Sequence, residues 1–318
     1  MGQRTIKSPE VFRQLGFWNE PTQEAIFDTH AAAGGAGGAG YMYITELARI
    51  GVQNFTIGDP DVFDRTNIGR VIGATEETIG RNKAEVLRDD ILAINPAANV
   101  RVFTEGITPD NIEEFFNETD VALDATELSI PELGVMICRH GRSRRVKGEH
   151  KPFPVLNVEY VAHGAQVTSF VLGAMAYENY MGFEGGTEAP LDEIADQTPD
   201  PSRYLSYIPP YGDLRTLTAI KEGASLPSNV IGAGVAAQLG VSEALKHIRQ
   251  QHGLPGLKPV VAPRVRWMDA YTGKSGETRF PRASYYKGIG VVALNNLLGR
   301  YERGDYTAEA RAARGDIQ

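Results

Sequence analysis

The stretch Gly34–Lys83 constrains this chain more than any other. It reads GGAGGAG, a helix-like run closed by Gly51, then FTIGDPDVFDRTNIGR and IGRNK. In order it offers a glycine turn, an acidic pair (Asp59 and Asp61) and two cations (Arg70 and Lys83). A nucleotide needs those parts: backbone amides near phosphate, a carboxylate for ribose, and positive charge for a triphosphate. Gly35, Gly37, Gly38 and Gly40 spell GxGGxG, in which small residues let backbone approach a phosphate at a helix N-terminus. A glycine-rich linker would look much the same. The strand expected before the turn and the helix expected after it favour phosphate binding.

The rest of the chain extends that unit. THAAAG is a weak strand by propensity, and YMYITELARI carries apolar residues at helical spacing. Val52–Ile57 reads as a strand ending at the Asp59-Pro60-Asp61 turn. Ile79–Asn95 reads as a helix stopped by Pro96, Val100–Phe103 as a strand, Thr108–Asn117 as a helix and Asp120–Leu123 as a strand. This alternation predicts an α/β fold, a doubly wound Rossmann-like sheet, mainly parallel, with helices on both faces. Ligands of such sheets lie beyond the carboxyl ends of the strands, where Gly35, Asp59 and Asp124 all fall.

The expected organisation is a helical arm over residues 1–30, a nucleotide-binding core over 31–180 and a long loop over 181–228. A helix and an antiparallel hairpin over 229–303 complete the same domain, and a charged tail over 304–318 is expected to be disordered. The loop is rich in Gly, Pro, Asp and Thr and reads as an excursion over the surface, with one short helix near Leu214–Lys221.

Each candidate residue has a plainer reading. Asp59 lies where an acid should reach a ribose hydroxyl, but an aspartate before proline is also a common turn residue; Asp61 fits the turn role better. Asn67 could bond a ligand or hold its own loop. Arg70 and Lys83 separate two nucleotide classes. A dinucleotide oxidoreductase using NAD(P) needs no such pair, whereas ATP chemistry uses cations against charge building on phosphate oxygens. Asp124 and Glu127, in LDATEL, suit Mg²⁺, though acids also favour helix N-termini. His163 reads as a turn residue and Cys138 as core packing.

Composition removes other classes. A net charge of -8 argues against a nucleic-acid or anionic-membrane surface, leaving only the local basic run Arg139–Lys147. One cysteine, Cys138, allows neither an internal disulfide nor a cysteine zinc cluster, which predicts a cytoplasmic protein without zinc. No apolar run reaches the roughly 20 residues of a membrane span, and MGQRTIKSPEVF lacks a signal-peptide core.

These residues together resemble the ubiquitin-activating-enzyme-like adenylyltransferases of the ThiF/MoeB/HesA type. The resemblance runs through GAGGAG, GVQNFTIGDPDVFDRTNIGR, IGRNKAEVLRDDILAINPAANV and DVALDATE. It continues more weakly through FPVLNVEYVAHGAQVTSF and NVIGAGVAAQLGVSEALKHI. It implies ATP- and Mg²⁺-dependent adenylation of the carboxylate of a small protein or peptide, with release of pyrophosphate. By the same resemblance Asp59 holds ribose, Arg70 and Lys83 bind phosphates, and Asn67 supports that site. It also implies a homodimer in which Arg13 reaches the partner's ATP. Glu127 stands where the family's magnesium aspartate is expected, with Asp124 three residues earlier. The paired CxxC motifs and the thioester cysteine of other members have no counterpart here. Two alternatives stay open: an NAD(P)-dependent oxidoreductase on the same turn, and a non-catalytic nucleotide-binding scaffold.

Overall fold

A computed structural model describes residues 3–214, 227–279 and 281–301. A short 3-10 turn (Pro9–Val11) precedes α1 (Glu20–Asp28), whose N-cap Asn19 accepts from the Thr22 amide. Then come β1 (His30–Gly34), α2 (Gly38–Ile50), β2 (Asn54–Gly58), α3 (Lys83–Ile94), β3 (Asn99–Phe103), α4 (Ile112–Phe115) and β4 (Val121–Asp124). After α5 (Pro131–Ser143), strands β5 (Arg145–Val146) and β6 (Glu149–His150) make a small separate ribbon. Strands β7 (Val155–Val161) and β8 (Gly164–Phe170) lead to α6 (Tyr177–Met181), α7 (Leu191–Ala195) and α8 (Pro201–Tyr204). The long α9 (Val230–Gln251), β9 (Val265–Asp269), β10 (Lys274–Thr278) and α10 (Pro281–Leu297) follow.

Eight strands form one sheet in the order β10-β9-β8-β7-β4-β1-β2-β3. The five from β7 to β3 are parallel, and β8, β9 and β10 extend the sheet antiparallel. The mainly parallel sheet expected from the alternation is present. Alanine fills β1 (HAAAG) because all five residues are buried and helices pack on both faces, so close packing outweighs strand propensity. On one face α2, α3 and α9 bury Tyr41, Ile44, Leu47, Leu87, Val235 and Val241; on the other α5, α6 and α10 bury Phe115, Val135, Phe170, Tyr177, Tyr285 and Val292.

Residues 183–208, expected to run over the surface, pack into that second layer instead. Phe183, Ile194, Tyr204, Leu205 and Ile208 are all buried. Two polar devices hold the segment down. The fully buried Glu178 of α6 accepts from Arg139 (2.7 Å) and Arg142 (2.9 Å) of α5, while Arg139 also donates to the Ala189 carbonyl. Gln166 of β8 donates to the Tyr204 carbonyl, and its Oε1 accepts from the amides of Ser206 and Tyr207. Gly, Pro and Asp in this stretch therefore mark a series of tight turns within packed chain. Apart from Leu214 itself, the helix expected near Leu214–Lys221 lies outside the described residues, as does the tail 304–318.

Register fixes one end of the sheet. Gly34 pairs with Gly58 and with Asp124, so the carboxyl ends of β1, β2 and β4 lie together. Val161 pairs with Gly164, and Gly164 with Asp269, which brings the end of β7, the start of β8 and the end of β9 to the same edge. No helix among the described residues is long and apolar enough to cross a membrane.

Candidate functional site

The glycine turn is shaped by the chain's own backbone. Gly35 has φ +97, and a Cβ there would stand 2.4 Å from the Ala125 carbonyl oxygen. A Cβ on Gly40 would meet the Gly35 carbonyl oxygen at 2.0 Å. These two glycines are required by the fold of the turn itself. Gly38 lies against the Tyr160 hydroxyl, 2.6 Å from its Cβ position, whereas Gly37 has nothing within 4 Å. Gly37 is the N-cap of α2 and provides no side-chain cap. An uncapped helix start beside open space fits a phosphate-sized anion.

Asp59 follows β2 and is 5% exposed. Its Oδ2 accepts from the Ala36 amide (2.7 Å) and its Oδ1 from the Asp61 amide (2.9 Å). Burial pushes its pKa up, and the Lys83 charge and these two amides pull it down. The carboxylate thus ties the glycine turn to the acidic turn, and each oxygen keeps a lone pair for a further donor such as a ribose hydroxyl.

Lys83 opens α3 and is carried to Asp59 by a residue the sequence reading missed. Asn82 caps α3, accepting from the amides of Ala84 and Glu85, while its Nδ2 donates to the carbonyls of Asp59 (2.9 Å) and Asp61 (3.1 Å). The cap signal was present in NKAE, as an asparagine just before a helical run. The Lys83 ammonium pairs with Asp61 Oδ2 at 2.7 Å, with the lysine side chain 12% and the aspartate 58% exposed. Asn67 is buried and forms a capping box with Asp64, so it holds the loop. Arg70 donates to the Thr66 carbonyl at 2.9 Å, and its charge acts on Tyr160, whose hydroxyl burial otherwise pushes up. Arg70, Lys83, Asp59 and the glycine turn therefore converge at one end of the sheet.

The two acids proposed for a metal separate. Asp124 ends β4, is 3% exposed, and accepts from the Thr126 hydroxyl at 2.6 Å. Burial raises its pKa, and hydrogen bonds from Thr126 and Asn157 lower it. Glu127 is exposed and accepts from Ser129. Among the described residues no group of three His, Cys, Asp or Glu side chains could hold a metal. Mg²⁺ nevertheless binds through one or two carboxylates together with phosphate oxygens and water, so a buried carboxylate at the strand end fits it. Beside Asp124 lies Glu159, also missed: burial first, and then the Asp124 charge, push its carboxyl up to about 8. Its signal was an acid inside the apolar strand VLNVEYV.

Arg13 is exposed and makes no side-chain hydrogen bond or ion pair among the described residues. Cys138 is buried in α5, and burial pushes its thiol well up, as expected of a packing residue.

Residues 11–128 match the model of the ThiF family. MoeZ of Mycobacterium tuberculosis, described as a probable adenylyltransferase/sulfurtransferase, is 39% identical over 93 residues, 29% of this chain and 24% of that one. The tRNA threonylcarbamoyladenosine dehydratase of Escherichia coli is 31% identical over 127 residues, 39% of this chain and 47% of that one. The chain thus spans about a quarter to a half of the length of these relatives. Among solved structures, E. coli MccB with ATP superposes with a TM-score of 0.59 at 16% identity, covering 86% of this chain and 72% of that one.

Proposed function

We propose, on the premise that residues 11–128 are a ThiF-family domain, that this chain is an ATP-dependent adenylyltransferase acting on a carboxylate of a small protein or peptide. One observation carries the reading: Lys83 and Arg70 stand at the same sheet end as Asp59 and the glycine turn. Such cations suit a triphosphate, on which charge builds during transfer, better than a dinucleotide.

In the reaction a substrate carboxylate oxygen bonds to the α-phosphorus while the bond to pyrophosphate breaks, giving an acyl-adenylate. Asp59 would hold the ribose and the open start of α2 a phosphate. Lys83 and Arg70 would turn from Asp61 and the Thr66 carbonyl to oppose the charge on the leaving pyrophosphate. Mg²⁺ would be held by Asp124, with Glu127 at the rim, and would neutralise charge on the phosphates. Positioning and electrostatics supply the catalysis; no side-chain nucleophile is needed, and Cys138 is buried within α5. Arg13, exposed and without a side-chain hydrogen bond or ion pair among the described residues, supports a homodimer in which it serves the partner's nucleotide.

The test is pyrophosphate exchange with calorimetric titration. ATP–Mg²⁺ should bind and NAD(P) should not; tight NAD(P) binding with no response to ATP–Mg²⁺ would sink the reading. A non-catalytic scaffold is a second reading, favoured by the exposed Glu127. ATP binding without pyrophosphate exchange across candidate carboxylate substrates would select it.

A further inference from the structure

Beyond the nucleotide end, the same edge of the sheet carries a group of aromatic side chains. The buried Asp269, at the end of β9, accepts through Oδ2 from the hydroxyls of Tyr207 (2.7 Å) and Tyr211 (2.8 Å), and through Oδ1 from the Thr272 amide (2.7 Å). Around that anchor the rings interlock. His163 stacks on Tyr271 with centroids 5.4 Å apart, Tyr211 meets Tyr271 edge-on at 4.9 Å, and Tyr301 meets Tyr211 at 6.1 Å. A core would bury such rings, yet Tyr271 is 64% and Tyr301 37% exposed. A rigid, half-exposed aromatic surface costs little entropy to use as a contact surface.

Its position relates it to the candidate site. Both lie at the carboxyl end of the parallel strands, and a small cavity there is lined by Glu159, on which the Asp124 charge acts, and by Tyr207, which bonds Asp269, together with Gly164, Gln166 and Leu205. From β4 to β9 the sheet makes three strand steps, through β7 and β8. At about 4.8 Å per step that is about 14 Å, the reach of about four extended residues. We propose that this aromatic surface is a substrate subsite, taking an aromatic side chain about four residues back from the carboxylate to be adenylated. The proposal rests on the adenylyltransferase reading.

The surroundings favour a ring over a cation. The Tyr207 and Tyr211 hydroxyls are already committed to Asp269, so the surface offers ring faces and edges. Exposed Lys274 stands opposite Asp269 in register, and exposed Arg300 adjoins Tyr301. Their charges offset that of the Asp269 carboxylate, so the surface has no excess negative charge to draw a cationic side chain, and an aromatic one is unaffected.

The test uses fluorescently labelled glycine–serine peptides with a free carboxyl end and one phenylalanine moved stepwise away from it. Anisotropy with the full chain should show tightest binding when the ring is three to five positions back. Tyr271→Ala should weaken that peptide about tenfold, to the level of the ring-free peptide, while Tyr271→Phe keeps the preference. ATP binding and melting temperature should not move in either variant. Absence of any positional preference, including uniformly weak binding across the set, overturns the proposal, as does a preference that survives Tyr271→Ala. Failure of the adenylyltransferase reading is recognised separately, by loss of the ATP–Mg²⁺ response in the unaltered chain.

Discussion

The two halves of the sheet edge are built by different means. Around β1, β2 and α3, the contacts that matter join residues within one strand–turn–helix unit, 21 to 23 positions apart: Ala36 to Asp59, Lys83 to Asp61, Asn82 to both turn carbonyls. Around β8, β9 and residues 183–211 they join distant ones: Gln166 to Tyr204, Asp269 to Tyr207 and Tyr211, Glu178 to Arg139. The first half is a compact device in which the buried Asp59 and the largely buried Lys83 meet the exposed Asp61. The second depends on buried polar anchors that hold irregular chain in place. Substitutions should therefore act on chemistry in the first half and on stability in the second.

The largest effect tests the second half. Glu178 is fully buried between two arginines that are themselves only 26% and 19% exposed. Glu178→Ala should cost about 3 kcal/mol, because it leaves two largely buried charges without their partner. Denaturant midpoints would measure this, and a loss below about 1 kcal/mol would mean that the Glu178–arginine pairs are not what holds 183–208 in place. In the first half, Lys83→Ala and Arg70→Ala should each lower pyrophosphate release about 10² to 10³-fold, with the melting temperature little changed. Unchanged release in either variant would contradict its phosphate role.

The same contrast explains what the sequence could tell. The placement of Asp59, Arg70 and Lys83 beside the glycine turn was legible because their spacing is a property of one strand–turn–helix unit. The parallel sheet was legible from alternation, and Cys138 from its apolar helix. Glu159 and the Asp269 anchor were not, because an acid in a strand acquires meaning only when residues far along the chain close over it. Residues 183–208 were misread for the same reason. Their Gly and Pro content reports tight turns, and turn residues look alike whether the chain between them packs or is solvated.

A pH effect of intermediate size separates whole-fold stability from the site. His247, in α9, is buried with Nε2 unpaired among the described residues; burial and the neighbouring Lys246 lower its pKa to about 4. The unfolded chain takes up this proton near pH 6.5. Between pH 6.5 and 4 the unfolded state thus binds more protons, and stability falls as the pH falls through that window. His247→Gln should flatten part of this acid loss, about 1 to 3 kcal/mol by the size of the shift. Melting temperatures at pH 7 and pH 5 would read it. His30, lowered to about 4 by burial and by Arg101 and Arg144, should contribute in the same direction.

The smallest effect concerns the first half alone, and its sign is informative. Asp61 holds the Lys83 ammonium at 2.7 Å but is itself 58% exposed, so the pair stabilises the fold only slightly. A triphosphate would have to draw Lys83 away from that carboxylate and tolerate its negative charge nearby. Asp61→Asn should therefore tighten ATP binding about two- to fivefold, the equivalent of one exposed ion pair. AMP, lacking the β- and γ-phosphates, should bind both forms alike. Raising salt should shrink the difference, because the competing charges face water. Weaker ATP binding in Asp61→Asn would make Asp61 a nucleotide ligand, and an equal change for AMP would place its contact at the ribose or α-phosphate.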